Sequence, residues 1–396
     1  MRPEDYLTDA GYLIGWALLF RVPRLPRRAA ADSPVGAVSI VIPARNEAAT
    51  LPFLLADLSA SRPPGARVFV VDDGSDDGTA QVARSFPFVE VIQPPPAEPS
   101  WVGKSWACHH GAARVDSGTV VFLDADVRLA GDALARVAGL CREKGGLVTV
   151  WPHHEVERPD EHLSALPTLV TSMIAGCGSL LPPRRPRCGF GPVMACAVDD
   201  YRTVGGHASV RGEVVDDFAI ARRFADAGRT VTNLGGGREI RFRMYPGGMR
   251  GLVDGWTKSL ALGATGADWW RVAGVTMWLT CAIGGLTWVC GLTGWTHGVP
   301  RTRNLVYWGL FASQFAVQLR QVGRFWILDA LLYPIHVAAF AMLFALSLWR
   351  SFVLHRVRWR GRDVSVARPP TAVASTPVRC TGPTSVRADP RGSAEP

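Results

Sequence analysis

One stretch of the sequence constrains the fold more than any other, namely the apolar run from Val120 to Leu123 followed by Asp124 and Asp126. Consecutive β-branched and aromatic residues are typical of a strand that is buried on both faces, as in a parallel sheet covered by helices. Ligands of open α/β sheets bind at the carboxyl ends of such strands. The two carboxylates therefore predict a site for one divalent cation, with phosphate oxygens completing its shell. The alternative is that Asp126 caps a helix beginning near Leu129.

The sequence from residue 37 to residue 248 alternates short apolar runs with helical patterns, which predicts one α/β domain. Strands are predicted at Ala37–Ile42, Val68–Val71, Phe88–Ile92, Val120–Leu123, Gly145–Trp151 and Thr230–Leu234. Alternation of this kind favours a mixed, mostly parallel sheet with right-handed crossovers. The domain has neither a G-x-G-x-x-G run nor a Walker loop, so a nucleotide would have to be bound by other residues.

The basic and cysteine residues narrow the class of partner and the compartment. The chain of 396 residues carries a formal net charge of +9, and its basic residues bunch beside apolar segments. This arrangement favours an anionic membrane surface over nucleic acid, for which the sequence holds no binding motif. The eight cysteines include no C-x-x-C pair, so we expect reduced thiols rather than disulfides or a zinc site.

Apolar segments at both ends of the chain predict membrane attachment. Residues 1–28 are predicted to form a membrane or interfacial helix with a basic flank, and residues 249–271 an amphipathic interfacial helix. Residues 272–349 are predicted to be transmembrane, and residues 350–396 to be a basic, largely disordered tail. The predicted location is therefore the cell membrane, with several crossings.

Charge next to the apolar segments predicts the topology. The first segment is followed by Arg21, Arg24, Arg27 and Arg28, which by the positive-inside rule place the α/β domain in the cytoplasm. Val272 to Gly294 is long enough to cross a bilayer. Leu305 to Leu319 is shorter, and we favour a re-entrant or interfacial segment there because a third crossing would leave the basic tail outside.

Five motifs resemble, in their order and spacing, the family 2 glycosyltransferases. They are Pro43–Glu47, Val71–Ser75, Trp101–Lys104, Asp124–Asp126 and Asp216–Arg223, within Val38 to about Ala264. The later runs Phe242–Gly248, Gly255–Ser259 and Trp359–Arg362 resemble a narrower branch, the membrane-bound diaponeurosporenoate glycosyltransferases and their hopanoid-associated relatives. The resemblance implies a nucleotide-diphospho-sugar transferase domain of the GT-A type with membrane helices at both ends. It also implies an enzyme, a hexosyltransferase dependent on a UDP-sugar.

The resemblance implies which residues bind the donor. Pro43, Arg45 and Glu47 would line the nucleotide pocket, and Asp73 would contact the uracil. Asp72 and Asp73 directly follow a predicted buried strand, which favours a donor site at both acids. The alternative is an ordinary Asp/Gly turn with a helix cap.

The remaining predicted site residues would act on the diphosphate and on the acceptor. Lys104 begins a predicted helix, where a phosphate would meet its ammonium and free N–H groups, although a solvated surface lysine is the alternative. Asp124, which also contacts the donor, and Asp126 would hold Mg²⁺ or Mn²⁺. Asp217, with Asp216 beside it, is the candidate catalytic base, and a carboxylate favoured by the helix dipole is its alternative.

These expectations combine into an inverting transfer of a hexose, with glucose from UDP-glucose favoured, to a lipophilic acceptor such as a carotenoid carboxylic acid. Three other functions stay open, namely transfer to a lipid phosphate or hopanoid, processive polysaccharide synthesis, and a catalytically silent membrane scaffold. The run Gln321 to Trp326 resembles the Gln-x-x-Arg-Trp signature of processive members with one extra residue. A juxtamembrane Arg/Trp anchor explains that run equally well.

Overall fold

Short apolar runs form the strands, as the alternating pattern predicts. The computed structural model describes residues 3–26, 36–183, 186–292, 301–354, 356–359 and 362–365. The strands are β1 (Val38–Ala44), β2 (Arg67–Asp72), β3 (Val89–Ile92), β4 (Thr119–Leu123), β5 (Val127–Leu129), β6 (Leu147–Trp151), β7 (His153–His154), β8 (Val193–Ala197), β9 (Val231–Gly235), β10 (Ile240–Phe242), β11 (Arg356–Trp359) and β12 (Arg362–Ser365).

Helices cover the strands and continue beyond them towards the C-terminus. They are α1 (Pro3–Leu18), α2 (Leu51–Ser61), α3 (Thr79–Arg84), α4 (Gly103–Ala112), α5 (Ala133–Lys144), α6 (Ala165–Ile174), α7 (Val198–Thr203), α8 (Asp216–Asp226), α9 (Met249–Thr265), α10 (Trp269–Leu292), α11 (Arg301–Val322), α12 (Ile327–Leu331) and α13 (Tyr333–Leu348). Short 3₁₀ helices lie at Pro159–Ser164 and Gly206–Val210, and a π-helical turn, Trp349–Val353, extends α13.

A seven-stranded sheet in the order β3-β2-β1-β4-β8-β6-β9 forms the centre of the α/β domain. The pairs β1–β2, β1–β4, β2–β3 and β6–β9 are parallel, which confirms the predicted mixed, mostly parallel sheet. β8 is antiparallel to both β4 and β6, and the sequence did not predict this strand. Its insertion brings the residues before β8 next to the end of β4, where the Asp124 amide donates to the Pro192 carbonyl over 2.9 Å.

β1 ends two residues later than predicted, because it continues through Pro43. The pairing of β1 with β4 stops at Val41 and Phe122, whereas its pairing with β2 extends to Ala44 and Asp72. Pro43 therefore lies where β1 has a partner on one side only, a position that tolerates a residue without an N–H. The extension carries the following loop to the carboxyl edge of the sheet.

The segment after Asp126 is a strand and not the start of a helix. β5 pairs antiparallel with β10, with Val127 opposite Phe242 and Leu129 opposite Ile240, in a second sheet of order β5-β10-β7. α5 begins only at Ala133. The alternative in which Asp126 caps a helix near Leu129 is therefore wrong.

Buried amide side chains join α1 to α11. Gln318 Nε2 donates to the carbonyls of Gly15 and Leu19, each over 2.9 Å, at the C-terminal end of α1 where helical carbonyls lack partners. Gln314 Nε2 donates to another α1 carbonyl, and its Oε1 accepts from Trp278 Nε1 of α10 over 2.9 Å. A Cβ at Gly15 would lie 2.4 Å from the Trp278 ring, so glycine permits the close approach of α1 to α10.

One of the predicted membrane segments contains a helix that is long and apolar enough to cross a bilayer. Among the described residues, the helix Tyr333–Val353 is long and apolar enough to cross a membrane by length and composition, with 21 residues and a mean hydropathy of 1.5. The crossings expected at residues 1–28 and 272–294 remain predictions. Leu305 to Leu319 lies within α11, and the predicted disordered end of the tail, together with Arg27 and Arg28, lies outside the described residues.

We expect Gln318→Ala to weaken the attachment of α1. Loss of the two buried hydrogen bonds to the Gly15 and Leu19 carbonyls should lower the free energy of unfolding by about 2 kcal/mol. Thermal unfolding of the detergent-solubilised protein, followed by circular dichroism, measures the change. Val317→Ala on the exposed side of α11 is the control, and an equal fall in Tm for both variants would contradict this account.

Candidate active site

The carboxyl ends of β1, β2 and β4 open into one cleft with a volume of about 1360 Å³. Nine of the ten predicted site residues line it, namely Pro43, Arg45, Glu47, Asp73, Lys104, Asp124, Asp126, Asp216 and Asp217. They come from five separate segments of the chain. The tertiary structure thus brings the predicted donor, metal and catalytic residues together at one edge of the sheet.

Asp72 is the predicted site residue that does not line the cleft. It ends β2, and because successive side chains in a strand alternate between faces, Asp72 and Asp73 point to opposite sides. Asp72 Oδ1 accepts from the Ser75 amide and Oδ2 accepts from Gln93 Nε2, each over 3.1 Å. Asp72 therefore stabilises the loop after β2, in agreement with the alternative that this segment is an ordinary Asp/Gly turn. Asp73 faces the cleft.

Hydrogen bonds between the loops after β1 and β2 build one end of the cleft. Arg45 Nη1 donates to the Asp73 carbonyl over 2.6 Å and lies 3.3 Å from Asp73 Oδ2. The Asn46 amide donates to Ser75 Oγ over 2.9 Å, and Asn46 takes a φ of 54°, a left-handed conformation that asparagine tolerates. These contacts hold the largely buried Asp73 carboxylate in place.

Lys104 is held inside the cleft and is not a solvated surface lysine. Its Nζ lies 2.7 Å from Asp124 Oδ1, and its side chain is 17% exposed. The Nζ also donates to the Gly191 carbonyl over 3.5 Å. Burial lowers the pKa of Lys104, but the charges of Asp124 and Asp216 outweigh burial and hold the pKa above its usual value. The ammonium is thus permanently charged beside the Asp-x-Asp pair.

Gly191, which the sequence analysis missed, joins Lys104 to Asp217. Its amide donates to Asp217 Oδ2 over 2.9 Å, while its carbonyl accepts from Lys104. A Cβ at this position would lie 3.0 Å from Asp217 Oδ2 and 3.2 Å from Lys104 Nζ, so any other residue would crowd both groups. The sequence pointed to this segment only through its run of mostly small, apolar residues at positions 190–197.

The surroundings of Asp217 raise its pKa. Burial and the neighbouring charge of Asp216 raise its pKa to about 6, against the opposing effects of Lys104 and of hydrogen bonds from the Phe218 and Gly191 amides. A carboxylate with a pKa near the working pH accepts a proton more readily than an ordinary aspartate. The alternative role, a carboxylate in the first turn of a helix, accounts for the position of Asp217 on α8. It does not account for the position of Asp217 in the cleft.

A buried histidine, which the sequence analysis also missed, faces Asp216. The His207 amide donates to Tyr201 Oη over 3.0 Å, and Tyr201 Oη lies 2.8 Å from His207 Nδ1. Because Nε2 faces the Asp216 carboxylate, we assign the ring hydrogen to Nε2 and the Tyr201 hydroxyl as the donor to Nδ1. His207 Nε2 then carries the ring hydrogen and lies 4.0 Å from Asp216 Oδ2. Burial lowers the pKa of His207 to about 4, which keeps the ring neutral. Neither Nε2 nor Oδ2 has a hydrogen-bond partner among the described residues.

The other end of the same cleft is apolar. It is lined by side chains of α10 and α13, namely Val272, Val275, Leu279, Ile283, Val337, Phe340, Phe344 and Leu348. α9 passes along both parts, and Trp256 fixes it to the α/β domain by donating from Nε1 to Ser164 Oγ over 3.0 Å. The acidic and apolar parts therefore form one continuous space.

The run Gln321 to Trp326 lies away from the cleft. None of its residues lines the cleft, and Arg324 is 79% exposed, which favours the anchor over a processive signature. His109 and His110 pack against Trp106. In the part of the chain that the structure describes, no group of three or more His, Cys, Asp or Glu residues is arranged to hold a metal ion.

The sheet order and the cleft define an α/β transferase fold of the GT-A type, and comparison with known proteins agrees. The mannosyltransferase PcManGT from Pyrobaculum calidifontis, solved in complex with GDP-Man and Mn²⁺, superposes with a TM-score of 0.52 at 16% sequence identity. The aligned region covers 87% of this chain and 96% of that one. At this identity the likeness concerns the fold.

Sequence comparison then gives the family. Residues 39–180 match the model of glycosyl transferase family 2. The 4,4'-diaponeurosporenoate glycosyltransferase of Staphylococcus aureus strain MRSA252 is 33% identical over 340 residues, which are 84% of this chain and 89% of the relative. The protein of that name from strain USA300 is 32% identical over 339 residues with the same coverage. The chain belongs to glycosyl transferase family 2 and is a glycosyltransferase, which confirms the resemblance seen in the sequence.

We expect His207→Phe to lower kcat for glycosyl transfer by at least about tenfold, because Asp216 loses the N–H that faces it. Tm should fall as well, because the buried Tyr201 hydroxyl loses its partner His207 Nδ1, so the comparison with Tyr201→Phe separates the effect on kcat from this loss of stability. Steady-state kinetics and thermal unfolding measure both quantities. Tyr201→Phe is the matched variant, which removes only the hydroxyl and should chiefly lower Tm. Full activity of His207→Phe would exclude a positioning role for His207.

Proposed function

We propose that the protein is an inverting glycosyltransferase that moves a hexose, glucose in our proposal, from a UDP-sugar to a lipophilic carboxylic acid at the membrane, such as a carotenoid acid. The observation that carries the proposal is the single cleft, which joins an acid-lined donor end to an apolar end between α9, α10 and α13. The names of the relatives from Staphylococcus aureus, diaponeurosporenoate glycosyltransferases, support an acceptor that is a long, unsaturated acid.

The donor would lie across the loops that hold Arg45, Asp73 and Lys104. Asp73 is placed to receive the base, and the Lys104 ammonium to pair with the diphosphate. Asp124 and Asp126 fit a divalent cation, because Mg²⁺ and Mn²⁺ on nucleotides take one or two protein carboxylates and complete their shells with phosphate and water oxygens. Lys104 occupies only Oδ1 of Asp124. A bound Mg²⁺ or Mn²⁺ would neutralise charge on the leaving diphosphate, and PcManGT was solved with Mn²⁺.

The acceptor would enter from the apolar end with its carboxylate towards Asp217. One carboxylate oxygen attacks the anomeric carbon from the face opposite the diphosphate, forming a new C–O bond. The bond from that carbon to the diphosphate oxygen breaks, and its electron pair leaves with UDP. A carboxylic acid is ionised near neutral pH, so no proton has to be removed. With such an acceptor, Asp217 mainly positions the attacking oxygen.

Attachment to the cell membrane, with several crossings and the cleft on the cytoplasmic side, forms part of the proposal. Large apolar side chains are exposed along α1 and the C-terminal helices, among them Tyr6, Leu7, Leu13, Trp269, Ile335 and Met342. A surface of this kind is unusual for a protein surrounded by water and typical of contact with lipid. The arginines that follow α1 support a cytoplasmic location for the α/β domain.

The direct test supplies the detergent-solubilised protein with UDP-glucose, Mn²⁺ and a C30 carotenoid acid. Mass spectrometry should detect a glycosyl ester of the acid and release of UDP. Comparison of lipids and pigments from cells with and without the protein tests the same assignment without choosing the acceptor. No transfer from any nucleotide sugar in either experiment would favour the silent scaffold.

We expect Asp124→Asn to reduce transfer by at least about a hundredfold and to raise the Mn²⁺ concentration needed for half-maximal rate, because a carboxylate that holds the cation is lost. EDTA should abolish transfer by the unmodified protein, and excess Mn²⁺ should restore it. Asp76→Asn, on the exposed rim near the cleft, is the control. Activity that survives both EDTA and Asp124→Asn would overturn the metal role.

Asp217→Asn should separate acid from alcohol acceptors. Transfer to an amphiphilic alcohol needs a base and should fall by about 10²–10⁴, whereas transfer to an acid should fall much less. Asp217 faces Asp216, Lys104 and Lys258, and its ionised form is present above a pKa of about 6. Transfer to the alcohol by the unmodified protein should therefore decline as pH falls below about 6. Rate–pH profiles with both acceptors measure this, and equal losses with both would contradict it.

A further inference from the structure

We propose that the helix Tyr333–Val353, formed by α13 and its π-helical turn, does not cross the bilayer but lies along the cytoplasmic leaflet, with one apolar face against the lipid. Its length and composition by themselves would permit a crossing. The proposal rests on the membrane attachment in the proposed function. It deepens that function because it names a surface that contacts the leaflet and the side from which the acceptor enters.

The N-terminal end of this helix is held on the α/β domain. His336, in the first turn of α13, has its Nε2 3.1 Å from Asp329 Oδ1 of α12. The other carboxylate oxygen, Asp329 Oδ2, lies 2.8 Å from His162 Nδ1. His162 belongs to the first 3₁₀ helix, which is part of the α/β domain, and all three side chains are buried. The start of the helix is therefore fixed to the domain.

The C-terminal end of the same helix is held on α9. Ser347 Oγ donates to the Thr257 carbonyl over 2.6 Å and accepts from the Ala261 amide over 3.0 Å. One turn later, Arg350 Nη1 donates to Asp254 Oδ1 and to Thr257 Oγ1, each over 2.8 Å. These bonds fix the end of the helix along two turns of α9.

α9 in turn lies along the surface of the α/β domain. At its start, a Cβ at Gly248 would lie 3.4 Å from Asp160 Oδ2. At its middle, Trp256 donates the hydrogen bond to the 3₁₀ helix described above. Just beyond its end, a Cβ at Gly266 would lie 3.3 Å from Arg222 Nη1 of α8. Because α9 touches the domain along its whole length, it does not carry the end of Tyr333–Val353 away from the domain.

A helix attached in this way cannot span a bilayer. His336 and Arg350 are fourteen residues apart, or about 21 Å along the helix axis, and both are fixed to the domain or to α9. Between them, Val337 and Phe340 are buried in one hydrophobic core with Leu169 of α6. A spanning helix instead has its ends on opposite sides of a hydrocarbon layer about 30 Å thick. Both ends of this helix thus lie on the side of the α/β domain.

The opposite face of the helix is apolar and exposed. Ile335, Met342 and Trp349 are 54%, 67% and 55% exposed, and their spacing of seven residues, about two turns, places them in one stripe. A helix on a protein surface in water carries polar residues on its outer face, whereas an apolar outer face fits lipid. Ala341 and Ala345, exposed beside the stripe, line the apolar end of the cleft. An acceptor dissolved in that leaflet would therefore enter the cleft sideways.

The connections of the preceding helices agree with this arrangement. α10 begins on the α/β domain, where Arg271 Nη1 donates to the Met173 carbonyl of α6 over 3.2 Å. Directly after α11, the Arg324 amide donates to the His154 carbonyl of β7 over 2.7 Å, so the chain has returned to the domain. The chain thus leaves the domain in α10 and comes back at the end of α11 before the helix Tyr333–Val353 begins.

The charge that follows the helix favours a leaflet as its partner. The sequence continues with three arginines, Arg356, Arg358 and Arg362. With the helix along the leaflet they stay on the cytoplasmic side, as the positive-inside rule requires, and no re-entrant segment at Leu305–Leu319 is needed. Anionic lipids of that leaflet attract such residues. A second copy of this basic chain would repel them instead.

The first experiment labels cysteines that flank the helix, in Arg324→Cys and Leu354→Cys, with a maleimide that does not cross membranes. Asp76→Cys on the α/β domain is the matched control, and the unmodified protein gives the background. All three variants should take up at least about tenfold more label in inverted vesicles than in intact cells. Label on Leu354→Cys in intact cells would show a crossing and overturn the proposal, and so would label on all three variants in intact cells.

The second experiment measures the depth of spin labels at Ile335→Cys, Met342→Cys and Trp349→Cys in vesicles. A helix along the leaflet should place the three labels within about 5 Å of one depth. A crossing helix would place Met342→Cys about 10 Å deeper than the other two, because seven residues rise by that distance. Protection of all three labels from lipid-soluble oxygen would show a protein partner, such as a second copy, and would also overturn the proposal.

Neither measurement requires turnover, so the position of the helix is tested separately from sugar transfer. The expected labelling and depths in a protein that transfers no sugar would support the position of the helix while the proposed activity fails. Release of the unmodified protein from membranes by a carbonate wash would refute the membrane attachment itself, and with it the contact with the leaflet.

Discussion

Gly191 joins the two charged groups on which the arrangement of the cleft depends. Its carbonyl accepts from Lys104, its amide donates to Asp217, and Lys104 in turn pairs with Asp124. These contacts exist because β8 is inserted antiparallel between β4 and β6, which brings the segment before β8 against the end of β4. Lys104 and Asp217, the candidate base, are thereby connected through one backbone unit that has no room for a side chain.

Charge in the cleft is arranged in opposed pairs. Arg45 lies beside Asp73 and Lys104 beside Asp124, so each of these two carboxylates has a cation next to it. The proposed nucleotide diphosphate and its cation would therefore meet weaker repulsion there. Asp216 and Asp217 are less well compensated, and their mutual repulsion together with burial raises the pKa of Asp217. The pairing of charges thus differs between the part of the cleft around Arg45 and Lys104 and the part around Asp217.

The C-terminal helices complete the cleft as well as providing apolar surface. α10 and α13 supply its apolar wall, and α9 connects that wall to the α/β domain through the hydrogen bond of Trp256 with Ser164. α1 is joined to α10 and α11 by Gln314 and Gln318, so α1 and these helices pack together with the α/β domain. Packing of this kind is suited to an acceptor that reaches the reacting atoms from a lipid environment, as we propose.

Local pattern alone determined the strands, the acidic strand ends and the family motifs, because side-chain periodicity and turn chemistry act over a few residues. It could not determine the place of β8 or the strand after Asp126, since pairing with distant β4, β6 and β10 decides both. Asp72 and Asp73 are adjacent and chemically identical, and only the tertiary structure separates their roles. Gly191 and His207 likewise carry no distinctive local signal, and they gain their significance from side chains that are close to them in space but distant along the chain.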